Sequence, residues 1–187
     1  MTPTCNVFGD SHVWALKEIP GVEVTHLGPR TMYHIGREGL DIKDSELTIY
    51  VFGEIDCRCH IGRIRDTTGE SQTSIINRLT DAYFKAIKAN KGIGILYSIV
   101  GATTITEAGS QYNPYGTLED RIQIIREMNT KLRQSDLPML DICDHYNLPS
   151  GELDPRFRDP GIHIDTKHNG YIREKLDQLL KELYKEN

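Results

Sequence analysis

Apolar residues in this chain fall into short continuous runs, separated by longer stretches in which they recur at helical spacing. The runs Cys5–Phe8, Val22–Leu27, Glu46–Phe52, Gly92–Val100 and Pro138–Cys143 predict strands. Glu46–Phe52 and Gly92–Val100 are apolar almost throughout, which suits parallel strands covered on both faces. Between the runs, Val13–Glu18, Ser71–Asn90, Leu118–Leu132 and Tyr171–Tyr184 predict helices. The second of these carries Ile75, Ile76, Leu79, Ala82, Tyr83, Ala86 and Ile87 on one helical face. Strands alternating with helices predict an α/β three-layer sandwich around a five-stranded parallel sheet, with ligands at the carboxyl ends of the strands. Gly101–Gly116 and Leu148–Pro160 are the expected irregular segments. No repeat or linker divides the chain, so residues 1–187 are expected to form one domain.

Charge and cysteine content narrow the function classes. The chain has 22 Lys+Arg against 27 Asp+Glu, a net charge of −5. Basic residues are interleaved with acidic ones, which argues against a nucleic-acid partner. Met1-Thr2-Pro3-Thr4 lacks the pattern of a secretion signal, and no apolar run approaches the ~20 residues needed to span a bilayer. Cys5, Cys57, Cys59 and Cys143 fall in strand-like segments and read as reduced thiols, so a cytoplasmic protein with no membrane partner is expected.

The first strand leads into Gly9-Asp10-Ser11-His12 and then into a helix. Ser11 therefore stands where unpaired helical N–H groups face outward, a position suited to a nucleophile that must also hold an oxyanion. The plain alternative is a helix cap, which serine supplies routinely. A base is available at the far end of the chain, in Asp159-Pro160-Gly161-Ile162-His163. A serine hydroxyl becomes nucleophilic when an imidazole takes its proton, and a carboxylate fixes the imidazole tautomer. Ser11, His163 and Asp159 are the candidate triad. Asp10 and His12, which flank the serine, are candidates for oxyanion or substrate binding.

A second concentration of polar chemistry follows the third strand, in Gly53-Glu54-Ile55-Asp56-Cys57-Arg58-Cys59-His60. Gly53 and Arg58 are candidate donors to an acyl oxygen or substrate anion. Asp56 is expected to hold Arg58 or the loop carrying Ser11. A zinc site on Cys57, Cys59 and His60 lacks a second ligand pair, so buried thiols are the default and no metal is expected. Gly28, in the Gly28-Pro29 turn after the second strand, would face the same cleft, the plain alternative being an ordinary turn; Gly101–Thr104 after the fourth either line the cleft or form a loop without a role. Of His26, His34, His60, His145 and His168, only His60 is singled out from surface or core roles.

Taken together, these segments resemble the SGNH (GDSL-type) hydrolase superfamily. Gly9-Asp10-Ser11 resembles its first block, Gly28 its second-block glycine, and Asp159–His163 its last block. The run Tyr146–Leu153 resembles the approach to that last block. The resemblance implies a flavodoxin-like strand order and a serine nucleophile that needs no cofactor. Oxyanion donors would be the N–H groups of Ser11 and Gly28. Two departures stand out. The third block, usually Gly-x-Asn-Asp, reads Gly53-Glu54-Ile55-Asp56, with isoleucine in place of a side-chain donor. The last block, usually Asp-x-x-His, has Pro160 three before His163 and Asp159 four before, with Asp165 and Asp154 as other carboxylates. The implied function is hydrolysis or transfer of an acyl group, acetyl in particular, on a carbohydrate or related small substrate. The alternative is a catalytically weak or inactive domain that binds a glycan or a protein partner.

Overall fold

The computed structural model describes residues 5–42, 45–104 and 113–185. Five strands, β1 (Cys5–Gly9), β2 (Val22–His26), β3 (Leu47–Val51), β4 (Ile93–Tyr97) and β5 (Met139–Leu140), form one sheet in the order β2-β1-β3-β4-β5. Every pairing is parallel, and Gly9 sits in register with both His26 and Val51. The expected three-layer architecture and flavodoxin-like order are therefore observed.

Alternation along the strands sends side chains into two cores. Val7, Ile49, Val51, Ile95 and Tyr97 join Val13 and Leu16 after β1 and Ile172 and Leu176 of α6 (Gly170–Lys185). Tyr50 and Leu96 join the opposite core with α1 (Met32–Glu38), α2 (Ile61–Thr68), α3 (Gln72–Lys88) and α4 (Leu118–Arg133). The long helices form where the apolar period predicts them, and their starts are chemically marked. The Ser71 and Thr117 hydroxyls cap α3 and α4, and Glu119 and Asp120 favour the positive end of α4.

Several local expectations are revised. The helix after β1 is a six-residue 3-10 helix, Ser11–Leu16, that begins at the serine itself. The predicted fifth strand shrinks to two residues, because Cys143 opens the short helix α5 (Cys143–Tyr146). Cys57 and Cys59 lie not in a strand-like segment but in a π-helical turn, Asp56–His60, continuous with α2. Helices α1 and α2, of seven and eight residues, are too short to show a clear apolar period. Within the predicted irregular stretch 101–116, residues 105–112 lie outside the described residues. Among the described residues, no helix is long and apolar enough to cross a membrane.

Candidate active site

Strand β1 delivers Ser11 to the carboxyl edge of the sheet through a contact that only glycine permits. A Cβ on Gly9 would lie 2.2 Å from the Val51 carbonyl oxygen and 2.7 Å from Val51 Cβ. Glycine is needed there for close approach of β1 to β3, since Gly9 is not among the positive-φ glycines. Asp10 then caps the 3-10 helix, accepting the His12 N–H at 2.9 Å. Ser11 is left half-buried at the helix start, and its own N–H meets no acceptor among the described residues.

The far end of the chain closes on this serine. Ser11 Oγ lies 2.7 Å from His163 Nε2 across 152 positions of sequence. Two further bonds span the same separation: Thr166 Oγ1 donates to the Trp14 carbonyl and Asn169 Nδ2 to the Lys17 carbonyl, both at 2.9 Å. Positions 11, 14 and 17 are three apart, one turn of a 3-10 helix, so they present a single row to the segment carrying His163. An α-helix would rotate that row by about 60° per three residues and break the match. Nothing in the apolar pattern marked Thr166 or Asn169. Their signal lies in the tertiary register alone.

Asp159 reaches the His163 ring from four positions before it because the intervening loop is a tight hairpin. The Asp159 N–H donates to the His163 carbonyl at 2.9 Å, and Arg158 pairs with Ile164 as an isolated antiparallel bridge. One carboxylate oxygen, Oδ1, accepts the Gly161 and His163 N–H groups at 2.8 and 3.1 Å. The other, Oδ2, lies 3.0 Å from His163 Nδ1. Asp165 and Asp154 are occupied elsewhere, accepting the N–H groups of Lys167 and Arg156 respectively.

His12 and Asp10 sit beneath the site rather than on a substrate surface, being only 5% and 1% exposed. His12 Nδ1 lies 3.0 Å from Asp10 Oδ1, and its ring centroid is 4.7 Å from that of His163. Burial opposes a charge on His12, but the Asp10 carboxylate outweighs it and raises His12 above the usual histidine range. His163 moves the other way: burial lowers it first, and His12 lowers it further against the pull of Asp159. Besides Asp159 and His12, Glu54 also bears on His163, favouring its charged form. A lowered His163 keeps its neutral, proton-accepting form to lower pH. The acid limb of kcat/KM is therefore expected below 6.5, the ordinary histidine value, and His12→Leu is expected to move that limb upward. A pH-rate profile of both proteins checks this; an unmoved limb would mean that the two rings do not interact.

The segments after β2 and β3 frame the other side of the serine. Gly28 has φ +73° and an N–H with no acceptor among the described residues. Asp56 holds neither Arg58 nor the Ser11 loop, contrary to the sequence expectation. Its carboxylate accepts the Met32 and Tyr33 N–H groups at 2.7 and 3.2 Å, anchoring the start of α1 just beyond Gly28. Burial nevertheless pushes Asp56 up to about 6, against those two bonds. Gly53 needs its φ of +113°, and a Cβ there would strike Ile99 and Met32. Its carbonyl accepts the Cys57 N–H, so the backbone turns directly into the π-helical turn. Ile55 is buried and offers no donor. Arg58 donates Nε and Nη2 to the two oxygens of Glu54 at 2.7 and 3.3 Å, a bidentate pair that the sequence reading did not anticipate.

The remaining candidates take quieter places. Cys57 and Cys59 are buried free thiols whose burial holds them above the usual range. Among the described residues, no group of three or more His, Cys, Asp or Glu side chains converges as metal ligands. His60 bonds to Arg63 and borders a cavity of about 310 Å³ with His34 and Asp56; neither Ser11 nor His163 lines it. Gly101 donates its N–H to Asn147, and Gly101–Thr103 border a small cleft that reaches Ile162 beside His163.

A parallel five-stranded sheet with serine, imidazole and carboxylate gathered at its carboxyl edge defines an α/β architecture shared with known esterase and acylhydrolase structures. The chain is similar to a GDSL-like lipase from Bacteroides thetaiotaomicron, with TM-score 0.62 and 17% identity over 98% of this chain and 88% of that one. It is also similar to the aryl esterase of M. smegmatis, with TM-score 0.58 and 13% identity over 97% and 99% of the two chains. A carbohydrate acetylesterase family member from Sinorhizobium meliloti gives TM-score 0.57 and 11% identity over 96% and 98%. At these identities the likeness is one of fold. No protein-family model and no curated protein matches the chain.

Proposed function

We propose that the protein is a serine esterase that removes an acyl group, acetyl in particular, from a carbohydrate or related small substrate. The observation that carries this reading is the contact of Ser11 Oγ with His163 Nε2 at 2.7 Å, backed by Asp159 at 3.0 Å from Nδ1. In this mechanism Ser11 Oγ attacks the acyl carbon as His163 takes the hydroxyl proton. His163 then returns that proton to the departing alcohol oxygen, leaving an acyl-serine. Water, activated by the same imidazole, completes the cycle. The Ser11 and Gly28 N–H groups would hold the oxyanion. With Ile55 where a third donor is usual, turnover is expected to be lower by about 100–1000-fold than with a complete oxyanion hole. Names of proteins sharing the fold, including the carbohydrate acetylesterase family member, support the substrate class. The four free buried cysteines accord with a reducing, cytoplasmic setting.

The buried Ile55 also favours a second reading, a weak or inactive domain that binds a glycan or protein partner. A serine-directed phosphonate separates the two. The esterase reading expects stoichiometric labelling at Ser11, located by peptide mass spectrometry and prevented by prior denaturation. No labelling at any pH from weakly acid to basic would leave only the binding reading. Transfer to an acceptor hydroxyl instead of water would show as acylated acceptor exceeding released acid.

A further inference from the structure

Beneath the nucleophile, three buried polar atoms lack partners in one place. Asp10, His12 and Tyr97 are 1%, 5% and 4% exposed. Asp10 Oδ2, His12 Nε2 and the Tyr97 hydroxyl have no hydrogen-bond partner among the described residues. All three residues line a single small space of about 10 Å³. The other unpartnered atoms, on Thr48, Arg121 and Arg158, belong to residues outside that wall. Asp10 follows β1 and Tyr97 ends β4, two places along the sheet, so tertiary packing brings these groups together. The remaining polar residues of the wall are engaged elsewhere. Ser98 Oγ accepts the Ile142 N–H at 3.0 Å, and the Glu54 carboxylate holds Arg58.

A polar group orphaned in such surroundings is costly, and folded proteins rarely leave one. A space of this size admits one water and little else. The pattern of donors and acceptors also selects water. As a carboxylate, Asp10 accepts only, so the partner of Oδ2 must donate. His12 Nε2 accepts when the ring is neutral and donates when it is charged, and the Tyr97 hydroxyl does either. Burial first, then Tyr146, Cys143 and Asp10, keeps that hydroxyl protonated. Water donates or accepts as each state requires, whereas an ammonium ion only donates and a halide ion only accepts.

We propose that Asp10, His12 and Tyr97 form a closed binding site for a single water, which fixes the floor under Ser11 and His163. Through Oδ1, Asp10 caps the helix that opens at Ser11, and the His12 ring lies 4.7 Å from that of His163. One molecule held among the three ties both reacting groups to the end of β4. It makes and breaks no covalent bond, so its presence is independent of the esterase reading. A crystal structure of the full chain, at a resolution that shows ordered water, is the direct test. One solvent peak within hydrogen-bond distance of all three atoms is expected. The absence of such a peak, whether the space is dry or the three side chains bond one another, would overturn the site. Tyr97→Phe gives a second reading in solution, because the sign of its effect differs. If the hydroxyl bonds water, the variant loses that bond and melts about 2–5 °C lower. If the hydroxyl is unpartnered, its removal relieves a buried polar group, and melting is unchanged or higher. Scanning calorimetry of both proteins separates the two outcomes, and an unchanged or raised midpoint would rule the water out.

Discussion

Ser11→Ala is expected to lower kcat on an activated acetyl ester by about 10⁴- to 10⁶-fold, with little change in KM. The hydroxyl of Ser11 is the group 2.7 Å from His163 Nε2, and alanine leaves the imidazole with nothing to activate but water. Four orders of magnitude correspond to roughly 5.5 kcal/mol of transition-state stabilisation, more than positioning alone contributes through one side chain. The backbone N–H of residue 11 survives the change, so part of the oxyanion stabilisation remains and the loss stays finite. Helix geometry is also expected to survive, because Asp10 rather than Ser11 caps the 3-10 helix. Steady-state kinetics on p-nitrophenyl acetate, corrected for spontaneous hydrolysis, reads the effect. A variant retaining more than about one-hundredth of wild-type kcat would exclude Ser11 as the nucleophile.

Asp159→Asn is the second large effect, with an expected fall in kcat of about 10³- to 10⁴-fold. The substitution is informative because the carboxylate has two separable tasks. An asparagine carbonyl can still accept the Gly161 and His163 N–H groups, so the hairpin holding His163 should persist. The amide nitrogen would then face His163 Nδ1 where Oδ2 now stands at 3.0 Å. Donating to Nδ1, it would place the ring proton on Nε2 and remove the lone pair that must accept the serine proton. Kinetics fall while the fold remains, which near-identical thermal melting would document. Asp165→Asn and Asp154→Asn are the controls, since each carboxylate holds a local turn away from the imidazole. If either control lost as much activity as Asp159→Asn without unfolding, the assignment of the acid would fall.

The parts of this molecule that were legible in advance share a physical origin. Strands β3 and β4 and helices α3, α4 and α6 bury a continuous face, and a buried face must be apolar with the period of its element. The sheet order was expected from the resemblance alone, because alternating strands and helices also permit other doubly wound orders. Elements made by tertiary contact left no such pattern. The start of α1 is anchored by Asp56 from another segment, and the π-helical turn places Cys57 inside while its Arg58 carbonyl receives the Tyr115 N–H. At Gly9 the demand is for space against Val51 rather than for backbone freedom, and no local pattern shows that.

At the candidate site, residue order alone picked out the groups proposed to react: Ser11 after the first strand, and His163 with Asp159 near the chain's end. Residue types and local order suffice there, because nucleophile, base and orienting acid are defined by their chemistry. Only the tertiary structure decided that Asp159 reaches His163 from four positions away, through a hairpin closed by its own carboxylate. It likewise decided that His12 lies under His163 and that Glu54 engages Arg58. Charges act through distance in space and through the water excluded between them. Neither is written in the order of residues along the chain.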